Sequence, residues 1–235
     1  MYKGVYLASM GMLADITKLD TLSNNISNAE TIGYKADNLA FKTYLEKRLH
    51  SFKPMPQEKK VEIKDIGKFE QAVILDEVKT DFSQGNIEHT ENMLDFAIDG
   101  SRFFVVEKNG EKLYTRAGNF KISSDGFLVT SEGYYVLDKN DQRIKVLDKS
   151  DLINNIKVVD LDNPRKIGYT FYKGQEIEKE NFRILQGYVE KSNVNIVKEM
   201  VKMIEANRHY EVLSKAVTVH DELLNKSINS AGNLK

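Results

Sequence analysis

The stretch SNVNIVKEMVKMIEANRHYEVLSKAVTVHDELLNKSI, residues Ser192 to Ile228, decides the fold. It contains neither Pro nor Gly, so no residue in it forces a helix to break. Apolar residues recur in it at steps close to three and four: Ile196, Met200, Met203, Tyr210, Leu213, Val217, Leu224 and Ile228. This period predicts one helix with a heptad tendency, about 50 Å long, with Asn195 as its N-cap.

A second apolar face lies beside the first and consists of Val194, Val197, Val201 and Ile204. A helix with two apolar faces needs more than one partner. Two interpretations stay open, a core helix of a globular domain and a helix that packs between the chains of an assembly. Arg208 interrupts an apolar face, where its guanidinium is either exposed or bound to a carboxylate or carbonyls across an interface.

Composition excludes several classes of function. Among 235 residues, 34 Lys and Arg balance 35 Asp and Glu, so no basic excess points to nucleic acid or to an anionic membrane. The absence of Cys excludes disulfides and thiolate sites. No apolar run approaches the ~20 residues of a membrane span. The start, MYKGVYLASMGML, is interrupted by Gly4 and Gly11 and shows no cleavage site, so we interpret it as mature sequence.

A second helical pattern runs from Val5 to Asn28. Its apolar stripe comprises Val5, Ala8, Met12, Ile16, Leu19, Leu22 and Ile26. Asn24, Asn25 and Asn28 cluster at its end, and Gly33 then permits the positive φ of a sharp exit. This end is either an ordinary frayed terminus or a polar knuckle that bonds to a neighbouring subunit and fixes register, as buried Asn does in coiled coils.

Between the helices the pattern changes to short apolar runs with turn signals. From Val73 to Val189 it predicts an antiparallel β-domain, with hairpin turns at Asn109-Gly110, Ser124-Asp125-Gly126 and Lys139-Asn140-Asp141 and a further turn at Lys173-Gly174-Gln175. Residues 39–72, which contain Pro54, Pro56 and many charges, predict a solvated connector. For Phe41 to Leu49, both helix and strand remain open.

The predicted fold class is therefore α+β. Long N- and C-terminal helices pair as a coiled-coil stalk, and the β-domain of many short strands is inserted between them. The predicted segments are residues 1–38 (stalk helix), 39–72 (connector), 73–189 (β-domain) and 190–235 (stalk helix).

Candidate residues for chemistry are few. Asp95, Asp99 and Asp125 sit beside turns, where Asp is common for structural reasons. Glu205 and His209 share a helical face at i, i+4, but a third metal ligand is missing at any useful spacing. We predict no catalytic residue, no metal and no cofactor.

Three long motifs resemble one family. LSNNISNAETIGYKAD (22–37) and GYVEKSNVNIVKEMVKMIEANRHYEVLSKAV (187–217) resemble the N- and C-terminal signatures of bacterial flagellar axial proteins, the rod and hook group. DFAIDGSRFFVVEKNGEKLYTRAGNFKISSDGFLVTSEGYYVL (95–137) resembles the central pattern of the same group. Distal rod members match best and proximal rod members next, while HSFKPMPQEKKVEIKD (50–65) departs from the distal pattern.

The resemblance implies a structural role rather than an enzyme. It implies a basal-body rod subunit that polymerises helically with itself into the drive shaft from motor to hook. It also implies contact with other rod and hook proteins, and passage through the flagellar export apparatus without a cleaved signal peptide. The alternatives are another axial member, a β-rich enzyme with a helical dimerisation hairpin, or a soluble adhesin or chaperone-like binding module that dimerises through the stalk.

The predicted assembly residues belong to the two terminal motifs. They are Leu22, Asn24, Asn25, Ile26, Asn28, Thr31, Gly33, Tyr34, Lys35, Ser192, Asn193, Val194, Asn195, Met200, Met203, Ile204, Arg208, Tyr210 and Lys215.

Overall fold

The computed structural model describes residues 2–54, 61–146, 152–177 and 183–232. It contains long terminal helices and a β-rich middle, so the predicted α+β class is confirmed. By its contacts the chain divides into two units. Unit 1 comprises Met1–Ser23, Asn38–Lys79 and Met200–Lys235, and unit 2 comprises Asn24–Asp37 and Thr80–Glu199. Residues 24–37, predicted as part of the N-terminal helix segment, thus have their contacts in the β-rich unit.

Helices α1 (Tyr2–Ser27) and α3 (Ile196–Gly232) are the two long helices. Asn195 caps α3 as the sequence predicts, because its Oδ1 accepts the backbone N–H of Lys198 at 3.0 Å. Glu199 lies in the first turn of α3, where a carboxylate complements the positive end of the helix dipole.

Strands β1 (Asp37–Pro54) and β2 (Val61–Thr80) form a two-stranded sheet where the sequence predicts a connector. Strands pair through backbone hydrogen bonds, which nearly every residue type can form. A strand rich in Lys and Glu therefore need not show the alternation of apolar and polar residues by which strands are predicted. Phe41 to Leu49, left open between helix and strand, are strand. Pro54 ends β1, a position where Pro costs little, and Pro56 lies outside the described residues.

The β-rich unit follows as short strands joined by tight turns. Its elements are β3 (Ile87–His89), β4 (Phe96–Asp99), β5 (Phe103–Lys108), β6 (Glu111–Thr115), β7 (Lys121–Ile122), β8 (Leu128–Val129), β9 (Tyr135–Val136), α2 (Leu152–Asn155), β10 (Val158–Lys166), β11 (Phe171–Ile177), β12 (Arg183–Gln186) and β13 (Tyr188–Glu190). One sheet has the order β10-β11-β6-β5-β9-β8-β7, and β10 also pairs with β5, so four strands close on themselves. Two smaller sheets pair β12 with β4 and β13 with β3.

Three of the four predicted turns are present, and the prediction of the fourth is wrong. Asn109 and Gly110 join β5 to β6 with φ of 51° and 84°, and turns at Ser124–Gly126 and Lys139–Asp141 lie where expected. Lys173 to Gln175 instead lie inside β11. The chain reverses at residues 167–170, where Gly168 takes a φ of 87°. The prediction is wrong because glycine occurs not only in turns but also in strands that another backbone approaches closely. At Gly174 the backbone oxygen of Asp162 makes this approach.

Strand β5 is buried on both of its faces and feeds two apolar clusters. Phe104 and Val106 join a cluster with Phe96, Leu128 and Ile156. Phe103 and Val105, which point the opposite way, join a cluster with Tyr114, Leu137, Val159, Leu161 and Tyr172. This double burial makes β5 the centre of the β-rich unit.

Candidate functional site

Asn25, near the end of α1, is fully buried and uses its whole hydrogen-bonding capacity within unit 2. Its amide donates to the backbone oxygen of Asp37 at 2.9 Å and to Glu199 Oε2 at 3.2 Å. Its Oδ1 accepts the hydroxyl of Tyr34 at 3.1 Å and the backbone N–H of Asp37 at 3.0 Å. One side chain therefore ties the last turn of α1 to the first turn of α3 and to the start of β1.

The chain between α1 and β1 turns sharply at Gly33. Its φ is 70°, its N–H donates to the backbone oxygen of Glu190 at 2.8 Å, and an added Cβ would lie 2.3 Å from the backbone nitrogen of Ala117. Only glycine fits such a close approach at positive φ. The turn brings Tyr34 and Lys35 into the interior, and burial raises the pKa of the Tyr34 hydroxyl well above its ordinary value.

Lys35 and Glu190 form a buried ion pair, with 2.6 Å between Nζ and Oε1. The ammonium also donates to the backbone oxygen of Ser83, and Oε1 accepts the N–H of Gly85. Arg116 Nε lies 3.3 Å from the other carboxylate oxygen. Burial lowers the pKa of Lys35, and the pairing with Glu190 opposes that shift. A pair of this kind holds its partners in one arrangement, because removal of either charge leaves the other buried and unpaired.

Asn193, just before α3, also bonds to segments that are distant in the sequence. Its Oδ1 accepts the N–H of Ala36 at 2.8 Å, and its amide donates to the backbone oxygen of Asp81 at 2.8 Å. Asp37 accepts from the hydroxyl of Thr80 at 2.7 Å and from Lys166 Nζ at 2.8 Å. The beginning of β1, the end of β2 and the segment before α3 are thus bonded together. We call Asn25, Tyr34, Lys35, Glu190, Asn193 and Glu199 the helix-root cluster.

Within the described residues of unit 1, α1 and α3 lie side by side at Gly4, Gly11 and Asp15. Asp15 Oδ2 lies 2.6 Å from Nδ1 of His209. A Cβ added to Gly11 would lie 2.7 Å from Leu213 Cδ1, and one added to Gly4 would lie 2.9 Å from His220 Nε2. The contacting pairs are residues 4 and 220, 11 and 213, and 15 and 209. The residue number on α3 falls by as much as the residue number on α1 rises, so the helices run antiparallel in constant register here.

The opposite sides of both helices present apolar side chains to solvent. The α3 outer face comprises Val197, Val201, Ile204, Arg208, Val212, Lys215, Val219 and Leu223, all exposed. The α1 outer face comprises Tyr6, Ser9, Leu13, Ile16 and Asp20, also exposed. Leu13 and Val212 are each more than 60% exposed. Contiguous apolar stripes of this kind mark surfaces that a partner covers.

The described residues contain no group of three His, Asp or Glu side chains arranged to hold a metal ion. A cavity of about 280 Å³ is lined by Lys139, Ile153, Asn154, Ile156, Arg183 and Ile184, none of which is a carboxylate. None of the helices described is both long and apolar enough to cross a membrane.

Comparison with known families covers both ends and the middle of the chain. Residues 6–35 match the model described as flagella basal body rod protein. Residues 97–165 match the D1 domain of the flagellar hook protein FlgE/F/G, and residues 185–230 match the C-terminal part of the flagellar basal body rod FlgEFG protein.

Full-length relatives carry the same description. The flagellar basal-body rod protein FlgG of Borreliella burgdorferi is 30% identical over 100% of this chain and 99% of its own length. The chain belongs to the flagellar basal-body rod protein family. FlgG of Bacillus subtilis is 28% identical over 97% of this chain and 99% of its own, and FlgF of Caulobacter vibrioides is 29% identical over 92% and 93%. The predicted structural role in the flagellar rod is confirmed by these matches.

The predicted assembly residues of this rod protein fall into three groups. Leu22, Asn25, Gly33, Tyr34 and Lys35 are buried; Ile26, Asn28, Thr31, Ser192, Asn193, Val194, Met203 and Tyr210 are half-buried; and Asn24, Asn195, Met200, Ile204, Arg208 and Lys215 are exposed. For Asn24, Asn25 and Asn28 the sequence leaves two interpretations open, a frayed helix end and bonds to a neighbouring subunit. In the structure, Asn25 and Asn193 direct the bonds described above within their own chain, and Asn28 donates to the backbone oxygen of Asn24.

Sequence reasoning missed several members of the site. Neither Glu190, in β13, nor Arg116, just after β6, stood out as a buried charge in the sequence, because a single charged residue is most often solvated. Gly4 and Gly11 are predicted only as interruptions of an apolar run, yet side chains of α3 lie directly against them. Small residues at a spacing of seven on one helix are the signal that could have revealed this close approach.

Proposed function

We propose that this rod protein is a subunit of the distal rod, and that it polymerises helically into the shaft that carries torque from motor to hook. In this proposal α1 and α3 pair as a coiled-coil stalk, and stalks of successive subunits pack against each other. Its natural partners are further copies of itself and other rod and hook proteins. The chain reaches its place through the flagellar export apparatus, without a cleaved signal peptide.

The observation that carries this proposal is the pair of exposed apolar faces on α1 and α3. Each buried aliphatic side chain is worth about 1.5–3 kcal/mol relative to exposure, so leaving such a row in water is costly. Packing between copies removes this cost. The antiparallel contacts at Gly4, Gly11 and Asp15 support the stalk, because they recur at the seven- and four-residue steps of a coiled-coil seam.

The bonds of the helix-root cluster are of the kind that a subunit under torque needs. It bonds the roots of both helices and the root of the two-stranded sheet to the β-rich unit through buried, directional contacts. A buried network in which hydrogen bonds and ion pairs link the members fixes one arrangement of them. We infer that it holds the end of α1 and the first turn of α3 in one arrangement within unit 2.

Replacement of Ile204 by Asp tests the proposed role. Ile204 is 53% exposed in the single chain, so the variant monomer should keep its helical circular dichroism. In a polymer the same position would bury an unpaired charge at a cost of several kcal/mol. We expect loss of sedimentable polymer and of motility. Asn207→Asp, which adds the same charge at an exposed position off the outer face, is the control and should polymerise normally.

Motile cells with normal rods that carry Ile204→Asp would contradict the assignment of this face. Met203→Asp separates the two surfaces of α3, since Met203 is half-buried and at seam spacing from the buried Ala206. This variant should lose helix content already as a monomer.

A further inference from the structure

The two outer faces lie on opposite sides of the helix pair. Leu13 is two residues beyond Gly11, and Lys215 is two residues beyond Leu213, so each is turned by about 200° from a residue of the α1–α3 contact. The α1 outer face therefore points away from α3, and the α3 outer face points away from α1. One copy cannot bring these faces together, but two copies can.

The charges on the two faces are complementary. The α3 outer face carries the exposed cations Arg208 and Lys215 among its aliphatic residues. Helix α1 has two carboxylates, and one of them, Asp15, is buried against His209. The other, Asp20, is exposed on the α1 outer face. A contact between the two faces would therefore bury aliphatic side chains and pair opposite charges.

For a second copy placed alongside at the same height, the register within one copy also gives the register between copies. Gly11 is level with Leu213 and Asp15 with His209, so Leu13 is level with residue 211 and Asp20 with residue 204. A second copy placed alongside at the same height would bring Leu13 within one residue, about 1.5 Å, of Val212. Asp20 would lie four residues, about 6 Å, from Arg208, a gap that the long Arg side chain spans.

We propose that the α1 outer face of one copy seats on the α3 outer face of a second copy, with Leu13 against Val212 and Asp20 beside Arg208. The two faces differ, so the contact is heterologous and leaves one free face of each kind for the next copy. This inference rests on the proposed function and names the partner surface for it.

Cysteine cross-linking tests the contact cleanly, because the chain has no Cys of its own. The double variant Leu13→Cys, Val212→Cys should give a ladder of covalent dimers, trimers and larger species on oxidation of its polymer. Single variants mixed together should give dimers only. The pair Leu13→Cys, Asn207→Cys, with the second thiol off the outer face, is the control and should give no ladder.

Charge exchange gives a second, independent measurement. Asp20→Arg and Arg208→Asp should each raise the concentration needed for polymerisation by about tenfold, since each places like charges together. The double variant should restore it to near the unsubstituted value. A polymer without a ladder, a covalent dimer from one single variant alone, or a double variant no better than the single ones would overturn this contact. Failure of the unsubstituted chain to polymerise would instead overturn the proposed function.

Discussion

Replacement of Asn25 by Ala removes the side chain that joins the roots of both long helices. The change deletes four hydrogen bonds at once, to Tyr34, to Glu199 and to both backbone groups of Asp37. The site is completely buried, so water cannot replace the lost partners without entering the unit. The free energy of unfolding of unit 2 should fall accordingly.

The size of the loss follows from these partners. Each ordinary hydrogen bond contributes about 1 kcal/mol net, and a bond to a charged group such as the Glu199 carboxylate contributes about 1.5–3 kcal/mol. Loss of the three ordinary bonds and the one charged bond predicts a decrease of about 4.5–6 kcal/mol in the free energy of unfolding. That is a large part of the 5–15 kcal/mol by which domains are typically stable, and corresponds to about 10–20 °C in Tm for a chain of this size.

Urea unfolding followed by tyrosine fluorescence and far-UV circular dichroism measures the loss, since the chain contains 11 Tyr and no Trp. Asn24→Ala is the matched control, because Asn24 is the same residue type in the same helical turn but is exposed. It should change stability by less than about 0.5 kcal/mol, as surface substitutions usually do.

A loss below about 1 kcal/mol in Asn25→Ala would refute the reasoning, because that is the contribution expected of one hydrogen bond rather than four. An equal loss in both variants would also refute it, since the effect would then come from the helix end and not from the buried cluster.

Three further predictions address the turn, the helix contact and pH. Gly33→Ala should lower the free energy of unfolding by at least about 2 kcal/mol, because the new Cβ meets the Ala117 backbone at a φ of 70°; Gly110→Ala, with open space around its Cβ, should lose less by the same urea measurement. Gly11→Leu should reduce helical circular dichroism by forcing Leu213 away, whereas Ser9→Leu, on the exposed side, should not. The pKa of Glu107 lies below its ordinary 4.5 because Arg143 donates two hydrogen bonds to it. Its stabilisation is therefore present above pH 4.5 and lost as pH falls through the lowered pKa, so Tm should fall less between pH 6 and pH 3 in Glu107→Gln than in the unsubstituted chain.

The sequence alone determined the local features of this rod protein. The 3.6-residue period without Pro or Gly predicts α3, and Asn195 is predicted as its cap. Asn109-Gly110 predicts the turn between β5 and β6. All three are confirmed. Each depends on a few neighbouring residues whose conformational preferences are strong. The three family motifs are likewise local in sequence and were sufficient to predict the family.

The surfaces that meet depend on the fold of the whole chain. The apolar stripe predicted on α1 included Ile16, yet α3 approaches through Gly4, Gly11 and Asp15, and Ile16 is exposed. Asn25 was predicted to bond outward, and its partners Asp37 and Glu199 lie 12 and 174 residues away in the same chain. A helical period shows that a face is apolar or polar, but contacts between residues distant in sequence decide what covers that face, and those contacts exist only once the chain has folded.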